Sequence, residues 1–172
     1  VAATIGPGSE VVLDRIGINP TRTGILTILR RMGADISVTP QSTDGEPTGR
    51  LTVRSAELMG TDVGGAEIPL AIDELPLIAL AACFAEGTTV IADAEELKRK
   101  ESDRIAVVVD SLRSLGAEIE ATGDGMVIEG TGGLGNYDRA GDPANWTGAD
   151  GAVQSSQGGA TPSYLVTKTA YK

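Results

Sequence analysis

"LRRMGADIS" at residues 29–37 and "LRSLGAEIE" at residues 112–120 share one pattern: Leu, Arg, any residue, an apolar residue, Gly, Ala, an acid, Ile. A motif that recurs within one chain constrains the fold strongly, because the same local forces act twice. Each copy sits where an apolar helical stripe ends. Ile25, Ile28, Leu29 and Met32 fall at helical spacing around the first copy, and Ile105, Val108, Val109, Leu112 and Leu115 around the second. Gly33 and Gly116 are placed to stop these helices. The period then drops to two. "ADISVTP" and "GRLTVRSA" alternate as strands about a polar loop (Gln41 to Thr48), and "AEIEAT" and "GMVIEG" about a tight Gly123-Asp124-Gly125 turn. The repeated unit is helix–strand–strand.

Other segments fill in around the two copies. "SEVVLDRIGI" reads as a strand, and "NPTRTG" turns into the first helix with Pro20 and Thr21 as start signals. "IPLAIDELPLIALAACFAEG" predicts a helix from about Glu74 to Ala85 that is apolar nearly all round and therefore buried. "TTVIADA" is a strand. The expected fold class is α/β (α+β). Residues 1–135 form one domain in this reading. From about Asn136 the chain turns rich in Gly, Ser, Thr, Gln and Asn, and 136–172 reads as an atypical tail, loop or disordered.

Charge and composition narrow the chemistry. The net charge of −10 argues against general nucleic-acid or membrane-surface binding, which reward clustered positive charge. An anionic small molecule stays possible, because only the field at its own site matters. The absence of histidine closes His-based acid–base and triad chemistry, and no carboxylate cluster suggests a metal. The single cysteine, Cys83, suits a reducing compartment and, within an apolar helix, reads as core. No apolar run reaches membrane-spanning length, and "VAATIGPGSE" lacks the basic start and apolar core of a signal peptide. The first residue is not Met, which points to a processed product or a fragment.

Two places carry candidate chemistry. "EELKRKESDRI" (95–105) holds eight charged side chains in eleven positions, with Lys98, Arg99, Lys100 and Arg104 inside seven. Ser102 or Asp103 is placed to cap the helix that follows, and a helix N-terminus favours anions. Lys100 and Arg104 are four apart, so on a helix they share a face, with Glu101 nearby as a proton carrier. On spacing alone a solvated helix start explains the run better. The second place is Asp73 in "AIDELPLIAL": beside a buried run, an acid is either a helix N-cap or functional, and the N-cap suffices. "GTGGLG" (130–135) lacks the Lys-Ser/Thr of a phosphate loop and reads as a plain loop.

Taken in order and spacing, "GINPTRTGIL", "IDELPLIALAACFAEGTT" and "EELKRKESDRI" resemble the later part of the 5-enolpyruvylshikimate-3-phosphate synthase family of enolpyruvyl transferases, especially its glyphosate-tolerant bacterial class. "KESDR" matches a family signature, and the likeness runs from about residue 7 to 135. The resemblance implies repeated βαβαββ-like units. It implies transfer of the enolpyruvyl group of phosphoenolpyruvate to the 5-hydroxyl of shikimate 3-phosphate, on the cytoplasmic route to chorismate and the aromatic amino acids. It implies no metal or organic cofactor, small-molecule partners only, and glyphosate as a possible inhibitor.

The site residues follow from the same resemblance. Asp73 contacts the shikimate hydroxyls and accepts a proton. Lys100 binds shikimate 3-phosphate near the reacting centre, and Glu101 handles the proton at the methylene carbon of phosphoenolpyruvate. Arg104 pairs with phosphoenolpyruvate, and Glu96 stands at another shikimate-site position. The departures are equally plain. The family is more than twice this length, its first domain has no counterpart here, and its Asp-His-Arg motif and later lysine are unmatched. Asp138-Arg139 in "NYDRAGD" is no substitute. A half-site that needs a complementing domain is therefore the second reading. A sister transferase acting on UDP-N-acetylglucosamine is a third, which "KESDR" and "PTRTG" oppose.

Overall fold

The computed structural model describes residues 1–43, 45–99, 102–133, 146–149 and 152–155. The chain divides into two units, Val1–Leu134 and Gly135–Lys172. The first opens with a short helix, α1 (Ala2–Ile5), and strand β1 (Glu10–Gly17). Helix α2 (Gly24–Arg31) and strands β2 (Asp35–Ser42) and β3 (Thr48–Arg54) follow. After β4 (Asp62–Val63) come α3 (Ile68–Ala71), α4 (Leu75–Cys83) and β5 (Glu86–Ile91). Helix α5 (Arg104–Ser114) and strands β6 (Glu118–Ala121) and β7 (Met126–Thr131) complete the unit.

The repeat is visible as topology. One sheet has the order β1-β3-β2, and the other ends in β5-β7-β6 with β4 added in parallel on β5. In both, the last strand of the unit inserts antiparallel between the other two. The unit is thus strand–helix–strand–strand, one strand longer than the sequence pattern alone shows.

The seven shared positions explain why the corner recurs. The Gly33 and Gly116 amides donate to Arg30 and Arg113, and the next residues, Ala34 and Ala117, donate to Leu29 and Leu112. These are the paired bonds of a Schellman cap, with the glycine in the left-handed region at φ +98° and +93°. The leucine and alanine at the ends of each cap are both buried. Each arginine then reaches forward six residues. Arg30 donates to the Ile36 carbonyl at 3.0 and 3.1 Å, and Arg113 to the Ile119 carbonyl at 2.7 Å. The side chain that ends the helix therefore also fixes the first turn of the strand.

Helix α4 is the centre of the core. Leu75, Ile78, Ala79, Ala81, Ala82 and Cys83 are all buried, and the helix contacts α2, α5, β5 and β7. Burial of Leu75 or Ile78 stabilises by roughly 1.5–3 kcal/mol each. Of the predicted second stripe, Ile105, Val109 and Leu112 are buried, whereas Leu115, the C-cap of α5, is 43 % exposed. The first helix also begins later than Pro20 and Thr21 suggest. Residues Pro20–Arg22 form a 3₁₀ turn capped by Asn19, and α2 starts at Gly24. The "GTGGLG" stretch is not wholly loop, since Gly130 and Thr131 close β7. Within the second unit the described residues are strands β8 (Trp146–Ala149) and β9 (Ala152–Ser155), paired antiparallel.

Candidate functional site

Asp73 is not a helix cap. Residue Glu74 occupies the N-cap of α4, without a side-chain cap bond, and Asp73 stands between α3 and α4 with its carboxylate 67 % exposed. Its partner comes from 31 residues further along: Arg104 Nη1 donates to Asp73 Oδ1 at 3.2 Å. Two segments far apart in sequence, "IDEL" and "KESDR", thus meet at the Asp73–Arg104 ion pair. A pair this exposed contributes only about 0–1 kcal/mol to stability.

Arg104 owes its position to the helix start. Asp103 is the cap, its Oδ1 accepting from the Ala106 amide at 3.1 Å, so Arg104 is the first residue of α5. The expected shared helix face of Lys100 and Arg104 is corrected by this boundary, since position 100 precedes the helix. Lys100 and Glu101 themselves lie outside the described residues.

The charged run that leads there is only partly solvated. Glu95–Arg99 form a 3₁₀ turn in which Leu97 is fully buried. Lys98 Nζ donates to the Gly123 and Thr122 carbonyls at 2.6 and 3.3 Å, fastening the turn to the β6–β7 connection. Asp93, at φ +58°, accepts from the Gly65 amide at 2.9 Å and donates its own amide to Asp124 at the same distance. That bond from the Asp93 amide holds the Asp124 carboxyl below its ordinary range. Glu96 is exposed on the 3₁₀ turn. Lys98 belongs by sequence to a cationic cluster, yet in the fold it is a structural anchor.

Beside Asp73 lies a groove of about 330 Å³, lined by Thr21, Arg22, Pro69, Leu70, Ile72, Asp73 and Glu74. The "PTRTG" turn and the "IDEL" corner therefore line one groove. Sequence reasoning treated Thr21 as a helix start and passed over Arg22. The available signal was that both segments sit immediately before helices whose partners are buried, which directs their polar ends to one side.

The pattern of the EPSP synthase (3-phosphoshikimate 1-carboxyvinyltransferase) family matches residues 1–138. The chain belongs to the EPSP synthase family. Among relatives of that name, the Leuconostoc citreum protein is 59 % identical over 130 residues, covering 76 % of this chain and 30 % of its own length. The Geobacter sulfurreducens protein is 55 % identical over 135 residues, covering 78 % and 32 %. The solved EPSP synthase from Acinetobacter baumannii superposes with a TM-score of 0.73 at 46 % identity, over 76 % of this chain and 30 % of that one. The α/β class is that of this family. The chain spans about 30 % of the length of the relatives it matches. Among the described residues no helix is long and apolar enough to cross a membrane.

Proposed function

We propose that this chain carries part of the active site for transfer of the enolpyruvyl group from phosphoenolpyruvate to the 5-hydroxyl of shikimate 3-phosphate. The observation that supports it most is the Asp73–Arg104 contact, which joins two motif segments in a half-exposed, polar place beside a groove. In this reading Asp73 takes the proton of the attacking hydroxyl as its oxygen bonds to the central carbon of phosphoenolpyruvate. Glu101 delivers a proton to the methylene carbon and later removes one, so that phosphate leaves and the double bond re-forms. Arg104 is a bidentate donor for the carboxylate or phosphate of phosphoenolpyruvate, Lys100 holds the phosphate of shikimate 3-phosphate, and Glu96 contacts the shikimate ring. Acid–base groups beside fixed positive charge are what an addition–elimination of this kind needs. Residues 1–135 form the working part, in the cytoplasm, and 136–172 stand outside it.

A second reading has its own support. With Asp73 67 % exposed, the site on this chain is one wall and not an enclosure. A wall binds but cannot exclude water or hold both substrates in line. The chain then acts only with a complementing domain. Phosphate release from the two substrates, measured with the chain alone and with the missing region of a relative added, separates the readings. Turnover that appears only on mixing supports the half-site, and turnover by the chain alone supports a self-sufficient enzyme. Substitution of Arg104 or Lys100 by Ala is expected to weaken substrate binding about 10- to 100-fold, the loss of a charge-assisted hydrogen bond, at unchanged Tm. Affinities equal to the parent's would remove both residues from the site.

A further inference from the structure

Arg22 has a fixed backbone and an uncommitted head. Its turn is held by Asn19, whose Oδ1 accepts from the Thr21 amide at 3.0 Å and from the Thr21 hydroxyl at 2.9 Å. Asn19 Nδ2 in turn donates to Glu46 at 3.0 Å. Two residues beyond Arg22, Gly24 lies flat against α3: a Cβ at that position would stand 2.5 Å from the Leu70 carbonyl oxygen. The turn and the Asp73 corner thereby both line the groove of about 330 Å³. Arg30, Arg31, Arg50, Arg54, Arg104 and Arg113 all donate to named partners. The Arg22 guanidinium, by contrast, carries no ion pair or side-chain hydrogen bond among the described residues, although Asp73 and Glu74 line the same groove.

We propose that Arg22 is a substrate-binding residue. It takes an anionic oxygen group, phosphate or carboxylate, of the same molecule whose hydroxyls donate to Asp73. The inference rests on the functional reading above and extends it to a residue outside that set. The chemistry follows from the charges. A carboxylate lining a groove suits a ligand with hydroxyls, and a guanidinium lining the same groove suits a ligand that is also anionic. Asp73, already paired with Arg104, does not neutralise Arg22 as well. An arginine on a rigid turn loses little freedom when a ligand engages its planar fork.

Isothermal titration of the whole chain with shikimate 3-phosphate, and separately with shikimate, tests this. The variants are Arg22→Ala, Arg22→Lys and, as a charge control outside the lining of the groove, Arg15→Ala, each with its Tm recorded. Arg22→Ala is expected to lose about tenfold or more in affinity for shikimate 3-phosphate with Tm unchanged. The Lys variant regains part, because it keeps the charge and loses the fork. A loss confined to the phosphorylated ligand assigns the phosphate to Arg22, and an equal loss for both ligands assigns the carboxylate. A parent that binds while Arg22→Ala binds equally well overturns the assignment and leaves the functional reading standing. A loss matched by Arg15→Ala overturns it too, since general charge then suffices. A parent that binds neither ligand overturns the functional reading, and this one with it.

Discussion

Cys83 shows how burial decides what a reactive group does. Its thiol is 2 % exposed on α4 and donates to the Ala79 carbonyl at 3.2 Å. Loss of solvent disfavours the thiolate and pushes the pKa up to about 11. At pH 8 the native thiol is therefore protonated and enclosed. Labelling with a soluble thiol reagent is expected to be slow in buffer and fast in urea, with the rate following unfolding. Rapid labelling of the native chain would contradict the burial. Lys98 teaches the converse. In the sequence it is one cation of a cluster, but its ammonium is spent on two carbonyls of the β6–β7 turn. A charge's neighbours in sequence do not reveal its partner in space.

At the scale of the element, the two caps allow a matched comparison. Gly33 and Gly116 occupy the same place at nearly the same φ, so replacement by Ala strains both by about 1–2 kcal/mol. Their surroundings differ. A Cβ at Gly33 meets the Glu57 carbonyl oxygen at 3.1 Å, whereas one at Gly116 meets nothing within 4 Å. Gly33→Ala is expected to destabilise more than Gly116→Ala in urea titrations. A neutral effect at either position would mean the left-handed cap is not what ends the helix. These caps were legible beforehand because they are local: a helical stripe, a glycine and a switch of period all lie within ten residues. The 3₁₀ turn at Pro20–Arg22 was not, since a proline at a helix start and a proline in a 3₁₀ turn carry the same signal.

Across the first unit, ion pairs tie the layers together and set an acid limit. Arg31 grips both oxygens of Glu67 at 2.6 and 2.9 Å and also the Asp62 carbonyl, clamping the end of α2 to the β4–α3 segment. The Arg31 hydrogen bonds hold the Glu67 carboxyl below its ordinary range, and the Arg50 and Gln41 hydrogen bonds do the same for Asp14 between β1 and β3. A carboxyl whose folded pKa is depressed contributes stability above its unfolded pKa, and that contribution is lost as pH falls through the folded value. The urea midpoint is expected to hold from neutral pH down to about 5 and to fall below about pH 4. Glu67→Gln should lower the plateau by no more than about 1 kcal/mol, because the pair is partly solvated, and should soften the fall. A midpoint that rises on acidification would refute the account.

The sequence alone determined the repeat, the helix stops, the strand pairs and the buried character of α4, because each depends on contacts between residues near in the chain. It also marked Asp73 and Arg104 as candidates, but only through the resemblance of their segments to family motifs. Only the tertiary structure decided that Asp73 is no helix cap, that Arg104 lies 3.2 Å from it, and that Arg22 faces the same groove. The reason is physical. These side chains meet because α2, α3, α4 and α5 pack around shared apolar surfaces, and the packing of surfaces leaves no periodic trace at the polar residues it brings together.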